Sequence, residues 1–391
     1  MRFIDKENTP YDWTSQRISH YVEEHKGGAP LKPSDFSQSG FSVIPKKAIQ
    51  QGNKLVITKP TFCTKSFADK NTRSIVDTNY TITTLRDLVP TGPTIGTVVN
   101  FYSDEKYILS QGVYGLKLKS NIDRDYFAYV SNAPFYRKVM KRVMVGSTQV
   151  HIRTPEYLSL EIQLPPLPEQ RRVAKILSTW DKAISTTERL INNSKQQKKA
   201  LMQQLLTGTH TQRKRLLDDS GKPFEGEWKE IEVGQLTKIY DGTHSTPKYV
   251  EKGIPFYSVE HLTRNDFSIT KFISEEVFEK ENKRVKLERG DILMTRIGDI
   301  GTAKCLTWDV QASFYVSLAL FKSNAQFDSN YLTYYINSRE FHRELWKRTI
   351  HVAFPKKINL GEISHCLVKL PSLEEQQKIA AVLTNADKEI E

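Results

Sequence analysis

Cysteine is scarce. Cys63, Cys305 and Cys366 lie far apart in a chain of 391 residues. Odd in number and without a CxxC pair, they argue against a disulfide framework or a thiolate metal knuckle, and packed thiols are expected. Long hydrophobic runs are missing too. No window approaches the roughly 18 consecutive apolar residues that span a bilayer, and the opening MRFIDKENTPYDW has no apolar stretch before a small-residue cleavage site. A cytoplasmic protein with no membrane partner is expected. The signatures of common catalysts are also absent. No GxGxxG follows a strand, no Walker loop occurs, and the NPPY or NPPF tetrapeptide of amino-methyltransferases has no match, because Pro165-Pro166 stands between Leu164 and Leu167. The nine histidines form neither HExxH nor another paired metal spacing, and His244 in GTHS reads as a polar loop residue. Glu227-Trp228-Lys229 has the form of the ExK half of a nuclease motif, yet the carboxylates that would support it, Asp218 and Asp219, fall in a Gly/Pro linker. No metal and no catalytic residue is therefore expected.

What is present is an ordinary globular composition, 38 % hydrophobic and 26 % charged, with length for two or three domains of roughly 100–200 residues. The formal charge of +12 is uneven: +7 over residues 1–167, +8 over 168–215 and −3 over 216–391. Basic surplus invites a polyanion such as nucleic acid, against the plainer alternative of a solvated surface.

The chain repeats itself. Residues 164–184 read LPPLPEQRRVAKILSTWDKAI and residues 370–390 read LPSLEEQQKIAAVLTNADKEI, with 10 of 21 positions identical. Average composition would give roughly one or two by chance. The match runs on upstream: Lys141-Arg142 with Lys347-Arg348, Ile152 with Ile358, Tyr126 and Tyr129 with Tyr331 and Tyr334, Ile95-Gly96-Thr97 with Ile300-Gly301-Thr302, Gly40 with Gly253, Trp13 with Trp228. The opening RFIDKENTPYDW echoes RLLDDSGKPFEGEW at 215–228, and the offset drifts between 204 and 215 as loop insertions would cause. A period near 210 is too long for a solenoid and means two copies of a domain with its connector.

Each copy reads as a mixed α/β domain. Strand patterns occur at 112–119 (GVYGLKLK), 291–297 (DILMTRI) and 313–321 (SFYVSLALF), and helical patterns at 126–144 and 330–347. The LPPLP before Glu169 is a rigid entry to a helix rather than a PxxP ligand. From Glu169 to Leu206 there is neither Gly nor Pro, and 3-4 spacing places Leu177, Trp180, Ile184, Ile191, Leu201 and Leu205 on one stripe. This predicts a helix of about 40 residues with a coiled-coil seam and a polar middle. Ile379, Leu383 and Ile390 begin the same seam in the second copy, and antiparallel pairing of the two helices within the chain is expected, the alternative being that each packs on its own domain.

The remaining chemistry is that of binding. The loop 241–248 (DGTHSTPK) offers Thr243, His244, Ser245, Thr246 and Lys248 for phosphate and base-edge hydrogen bonds, with Lys26-Gly27-Gly28-Ala29-Pro30 as its counterpart. Residues 146–153 (GSTQVHIR) present Ser147, Thr148, Gln149 and Arg153 after Lys141-Arg142, and Gln149 suits bidentate pairing with adenine. The same place in the second copy reads HVAFPKK after Lys347-Arg348, giving His351, Lys356 and Lys357. Lys46, Lys47, Lys65, Lys70, Arg73, Arg264, Arg296 and Lys304 are further candidates, each weighed against an ordinary surface role.

Two variable domains, each ending in LPxLxEQxxIAxxL, with a long helix that closes in LMQQLLTG at 201–208, resemble the specificity subunit of type I restriction-modification enzymes over nearly the whole chain. The resemblance implies two target recognition domains, at 1–163 and 215–369, each reading half of a bipartite double-stranded DNA target. It implies spacer helices at 164–214 and from 370 to 391. Two methyltransferase (M) subunits that bind S-adenosylmethionine would dock on this chain, with restriction (R) subunits joining through them, and the chain itself would be non-catalytic. A decoy that pairs with a methyltransferase without supporting restriction is the alternative, and a fused nuclease or methyltransferase is opposed by the missing motifs. The second helix departs from the family pattern, because Glu391 aligns with Ser185. A stripe around Leu190, Ile191, Leu201 and Leu205 is then expected to lie exposed and to rely on methyltransferase partners or self-association for cover.

Overall fold

The computed structural model describes residues 13–207 and 215–390. The echo over residues 2–12 and the boundary residues 208–214, with Gly208 of LMQQLLTG, lie outside the described residues. The chain divides into two compact units, residues 1–186 and 187–391.

The first unit is built around an antiparallel sheet in the order Val22–Gly27, Val113–Leu118, Tyr80–Thr84, Val98–Asn100. A second sheet runs Phe36–Ser37, Phe62–Cys63, Phe41–Ile44, Tyr107–Leu109, Ile75–Val76, with Phe41–Ile44 and Tyr107–Leu109 parallel. Thr14–Arg17 pairs with Glu161–Leu164, Thr14 opposite Leu164. The helix predicted over 126–144 is two, α1 (Arg124–Val130) and α2 (Pro134–Val143). Pro134 sits at the first position of α2, where its fixed φ and missing N–H fit a helix start and interrupt a continuous one. Ile18, Leu85, Ile95, Phe127, Tyr136, Tyr157 and Ile162 form the centre of the main core.

The long helix, α3 (Leu167–Leu206), has the 40 residues expected of it. Ala174 near its start is buried in the first unit, and Leu205 and Leu206 at its end are buried in the second.

The second unit repeats the main sheet of the first strand for strand, and its second sheet has four strands against five. Its main sheet runs Ile239–Asp241, Leu318–Phe321, Ile292–Ile297, Asp299–Cys305. Its second sheet runs Tyr249–Val250, Lys271–Ile273, Ile254–Tyr257, Ser313–Phe314, with the last two parallel. Lys229–Glu232 pairs with Leu367–Leu370, Lys229 opposite Leu370. The pattern 313–321 is two short strands because a turn at 315–317 interrupts it. Its helices include α4 (Ser329–Ile336), α5 (Arg339–Arg348) and α6 (Leu373–Lys388), so the predicted 330–347 helix also breaks in two, at Asn337-Ser338. Ser338 caps α5 by accepting from Phe341 N–H.

The duplication extends to individual hydrogen bonds. Gln170 accepts the N–H of Asp123 at 2.9 Å and donates to the Pro165 carbonyl at 2.9 Å; Gln376 does both with Asp328 and Pro371 at 3.0 Å. Asp123 and Asp328 in turn cap α1 and α4 by accepting from Tyr126 and Tyr331 N–H. Each glutamine thus ties the start of a long-helix segment to the helix beside it.

The seam differs from expectation in a definite way. Leu205, Ile379 and Leu383 do share one core, with Leu201 packed on it, and Lys198 pairs with Asp387, so α3 and α6 meet in antiparallel sense over the last turns of α3. Leu201 and Leu205 are therefore covered within the chain, contrary to the expectation that they lie exposed. Leu177, Trp180, Ile184, Leu190 and Ile191 stay exposed, so the predicted pairing along the full stripe is not present.

Candidate nucleic-acid interface

In each unit a loop leaves the end of the second helix of the pair and returns to the same point of the frame. In the first unit Val145 and His151 exchange both backbone hydrogen bonds at 2.9 Å, closing a loop whose Ser147, Thr148 and Gln149 are exposed. Gly146 is required there: its φ is 118°, and a Cβ would meet the Gln149 carbonyl oxygen at 2.0 Å. In the second unit Ile350 N–H donates to the Lys357 carbonyl at 2.8 Å, closing a loop that exposes His351, Lys356 and Lys357. The residue after each loop is buried and donates back to the frame, Ile152 to Leu85 and Ile358 to Arg296. Lys141 and Arg142 stand exposed at the end of α2. Lys347 and Arg348, at the end of α5, both pair with Glu344 at 2.8 Å, which leaves them partly neutralised.

The loop at 241–248 springs from Asp241, a nearly buried carboxylate at a sheet edge. It accepts from Arg284 at 2.7 Å, lies 2.8 Å from His244 Nε2 and receives Arg296 at 3.4 Å. Burial would raise its pKa, but the hydrogen bonds and charge of Arg284 and the bond with His244 outweigh burial and hold it below the usual carboxylate range. Gly242 lies so close to Phe314 that a Cβ would meet that carbonyl oxygen at 2.0 Å, and Gly28 repeats the contact against Ser110 at 1.9 Å. His244, Ser245, Thr246 and Lys248 are exposed. Thr243 is not: it is bridged to the strand through Phe314 and Val316, and its hydroxyl faces the Ser245 carbonyl, so it builds the loop instead of reaching out of it.

Two further candidates lie elsewhere than expected. Arg296 is 7 % exposed, donating to the Ile358 carbonyl and to Asp241, and is a frame residue rather than a surface cation. Lys46 is held at 3.0 Å by buried Asp87. Burial would raise the Asp87 pKa, and hydrogen bonds from Thr94 and Lys46 more than offset it. Lys47, Lys65, Lys70, Arg73, Arg153 and Arg264 are exposed, and Lys304 is half-buried in a cleft of the second unit beside Tyr334 and Asp387. The reading of the sequence missed Arg284, Arg137, which donates to four loop groups between Gly92 and Thr97, and Arg124. Nothing in their local sequence distinguishes them from surface cations, because their acceptors lie 23–46 residues away in the chain.

All three cysteines are buried, and burial pushes Cys305 up to about 11 and Cys366 up to about 12. Asp218 closes a turn with Ser220 and Lys222, and Asp219 pairs with Lys378, so neither supports a nuclease site at Glu227. Among the described residues no group of His, Cys, Asp and Glu could hold a metal, and no helix is long and apolar enough to cross a membrane.

Two copies of one frame, carrying unlike exposed loops at equivalent places, define a duplicated recognition protein. A model of the type I restriction modification DNA specificity domain matches residues 10–195 and again 225–391, and the chain belongs to that family. Both units carry that DNA specificity domain, as type I restriction-modification specificity subunits do. The chain is 26 % identical over 412 residues to the MjaVIII specificity subunit of Methanocaldococcus jannaschii, covering 100 % of this chain and 92 % of that one. To the EcoKI specificity subunit of Escherichia coli it is 26 % identical over 180 residues, 44 % of this chain and 37 % of the other. The S subunit of a type I system from M. genitalium shares the fold with a TM-score of 0.59 at 15 % identity, over 98 % of this chain and 92 % of that one. A chain from a structure on complex assembly and conformational transition of the type I R-M system gives 0.55 at 17 % identity, over 97 % and 91 %.

Proposed function

We propose that this chain, in the cytoplasm, reads a bipartite double-stranded DNA target, one half through each unit, and directs two methyltransferase subunits to it, with restriction subunits recruited through them. The observation that carries the reading is the pair of equivalent loops: same frame, each closed by an antiparallel bridge in which the first residue donates to the last, but GSTQV in one unit and HVAFPK in the other. A constant frame with different tips is what two independent readers of different half-sites require, because base edges are distinguished by side-chain donors, acceptors and apolar groups while the frame only positions them. Ser147, Thr148 and Gln149 in the first unit, and His244, Ser245 and Thr246 in the second, supply the hydrogen-bonding groups. Lys47, Lys65, Lys70, Arg73, Lys141, Arg142, Lys248, Arg264, Lys356 and Lys357 supply phosphate contacts. The methyl donor, S-adenosylmethionine, is carried by the methyltransferase subunit.

Co-purification with its cognate methyltransferase subunit, followed by mapping of methylated adenines, tests this. Two short specific sequences separated by a fixed unspecific spacer are expected; a single continuous motif, or no methylation, would overturn it.

A further inference from the structure

Phe354 and Val352 are the two most exposed large apolar side chains among the described residues, 103 % and 96 % exposed. Both stand on the loop closed by Ile350 and Lys357. That loop is held firmly at its base: Gly298 N–H donates to the Lys356 carbonyl at 2.8 Å, Ile358 N–H to Arg296 at 3.0 Å, and the buried Arg296 guanidinium returns a bond to Ile358 at 3.1 Å. Two apolar groups are thus presented to water on a pinned loop, and exposed Trp346 meets His351 of the same loop in a tilted ring contact, centroids 4.8 Å apart. The surroundings are cationic: residues 343–357 hold five Lys and Arg against one Glu, inside a half of the chain that is acidic overall. The equivalent loop of the first unit exposes Ser147, Thr148 and Gln149 at its tip, and its exposed large apolar side chain, Val145, is at its closing pair and 48 % exposed.

Fully exposed apolar side chains on a loop that also exposes Lys356 and Lys357 match a polyanion that has an apolar interior, and duplex DNA is such a partner: phosphates outside, stacked bases within. We infer that Phe354 is a wedge that the second unit inserts at one base step of its half-site, with Val352 beside it and Lys356 and Lys357 on the flanking phosphates. Proteins that insert an apolar side chain between base pairs unstack that step and gain specificity from sequences that unstack easily. The second unit then adds unstacking at this loop to the hydrogen bonding of its 241–248 loop, whereas the equivalent loop of the first unit offers hydrogen-bonding groups. This rests on the DNA-specificity reading above.

The test uses the full chain with its methyltransferase partner and duplexes of the methylation-mapped target carrying 2-aminopurine at successive positions. A rise in 2-aminopurine fluorescence at a single step of one half-site is expected on binding. Phe354→Ala should abolish the rise and weaken specific binding about 5- to 100-fold, the range for losing one aromatic–base contact, while non-specific binding is unchanged. Phe354→Leu, which keeps a wedge, should retain part of both. The side chain is free of packing, so folding is not at risk. An unchanged fluorescence rise in Phe354→Ala, or no rise with the natural protein while bipartite methylation persists, would overturn the wedge alone. Loss of co-purification with the methyltransferase in Phe354→Ala, with DNA binding by the chain intact, would overturn it in favour of a protein-docking surface. Absence of bipartite methylation by the natural complex would instead overturn the specificity reading, and the wedge with it.

Discussion

The hydroxyl of Tyr129 donates to Oδ2 of Asp181 at 2.7 Å. The second unit repeats the bond between Tyr334 and Asp387, also at 2.7 Å. Each tyrosine comes from the first helix of its helix pair and each aspartate from about four turns into the long-helix motif, so the bond fixes the course of that motif on its own unit. Tyr129→Phe should cost about 1 kcal/mol of stability in the first unit, the usual net worth of one hydrogen bond, and Tyr334→Phe the same in the second. Chemical denaturation of each variant checks it; no change in either would mean that the bond is incidental.

Gln170 and Gln376 carry more. Both are buried, and removing either amide leaves a helix-cap N–H and a proline carbonyl without a partner. Replacement by alanine should destabilise the affected unit by about 2–4 kcal/mol, read as a fall in its thermal midpoint.

Arg215 makes a two-pronged pair with Glu375, whose side chain is 1 % exposed. Arg215→Ala would strand a buried carboxylate and should cost about 3 kcal/mol or more, whereas Arg215→Ala combined with Glu375→Gln should recover part of the loss. Equal stability of the single and double variants would contradict this.

At high pH the fold should weaken between about pH 10 and 12. Tyrosines ionise near 10 in the unfolded chain, while burial pushes Tyr126, Tyr157 and Tyr335 up to about 12 in the folded one. A raised folded-state pKa means that the stabilisation is complete below the unfolded value and is lost as pH rises toward the folded value. Denaturant midpoints measured from pH 9 to 12 should fall accordingly; a flat profile would contradict the burial of these hydroxyls.

On the proposed bipartite reading, the polar middle of α3 is where a change of length should change the spacer. Residues 187–195 lie between Ala174, which packs in the first unit, and Lys198, which pairs with Asp387 in the second, so an insertion there spares both anchors. A duplicated four-residue stretch adds about 6 Å of helix, and at about 3.4 Å per base pair the spacer should lengthen by one or two base pairs with both half-sites unchanged. Methylation mapping decides it, and an unaltered spacer with full methylation would mean that the helix does not set the distance.

What the sequence revealed and concealed follows a physical line. The duplication was legible because ten identities in one block share a single offset, and the mixed α/β class followed from local patterns. Arg296 read as a surface cation because nothing near ILMTRI announces that its acceptors, Asp241 and the Ile358 carbonyl, lie 55 and 62 residues away. Lys46 was misplaced for the same reason, its partner Asp87 being 41 residues distant. The stripe from Leu177 to Leu205 has one period throughout, yet only its end is covered, since periodicity shows a face and not what meets it. Nor could composition distinguish Phe354 from a core phenylalanine; only its place on a closed loop does.

If the two units read DNA independently, exchanging one unit should exchange one half-site. The decisive measurement is methylation mapping of a complex in which residues 13–163 are replaced by the corresponding stretch of a related specificity subunit with a different target. The first half of the target should change to the donor's sequence, with the second half and the spacer retained. A change in both halves, or in neither, would contradict independent reading.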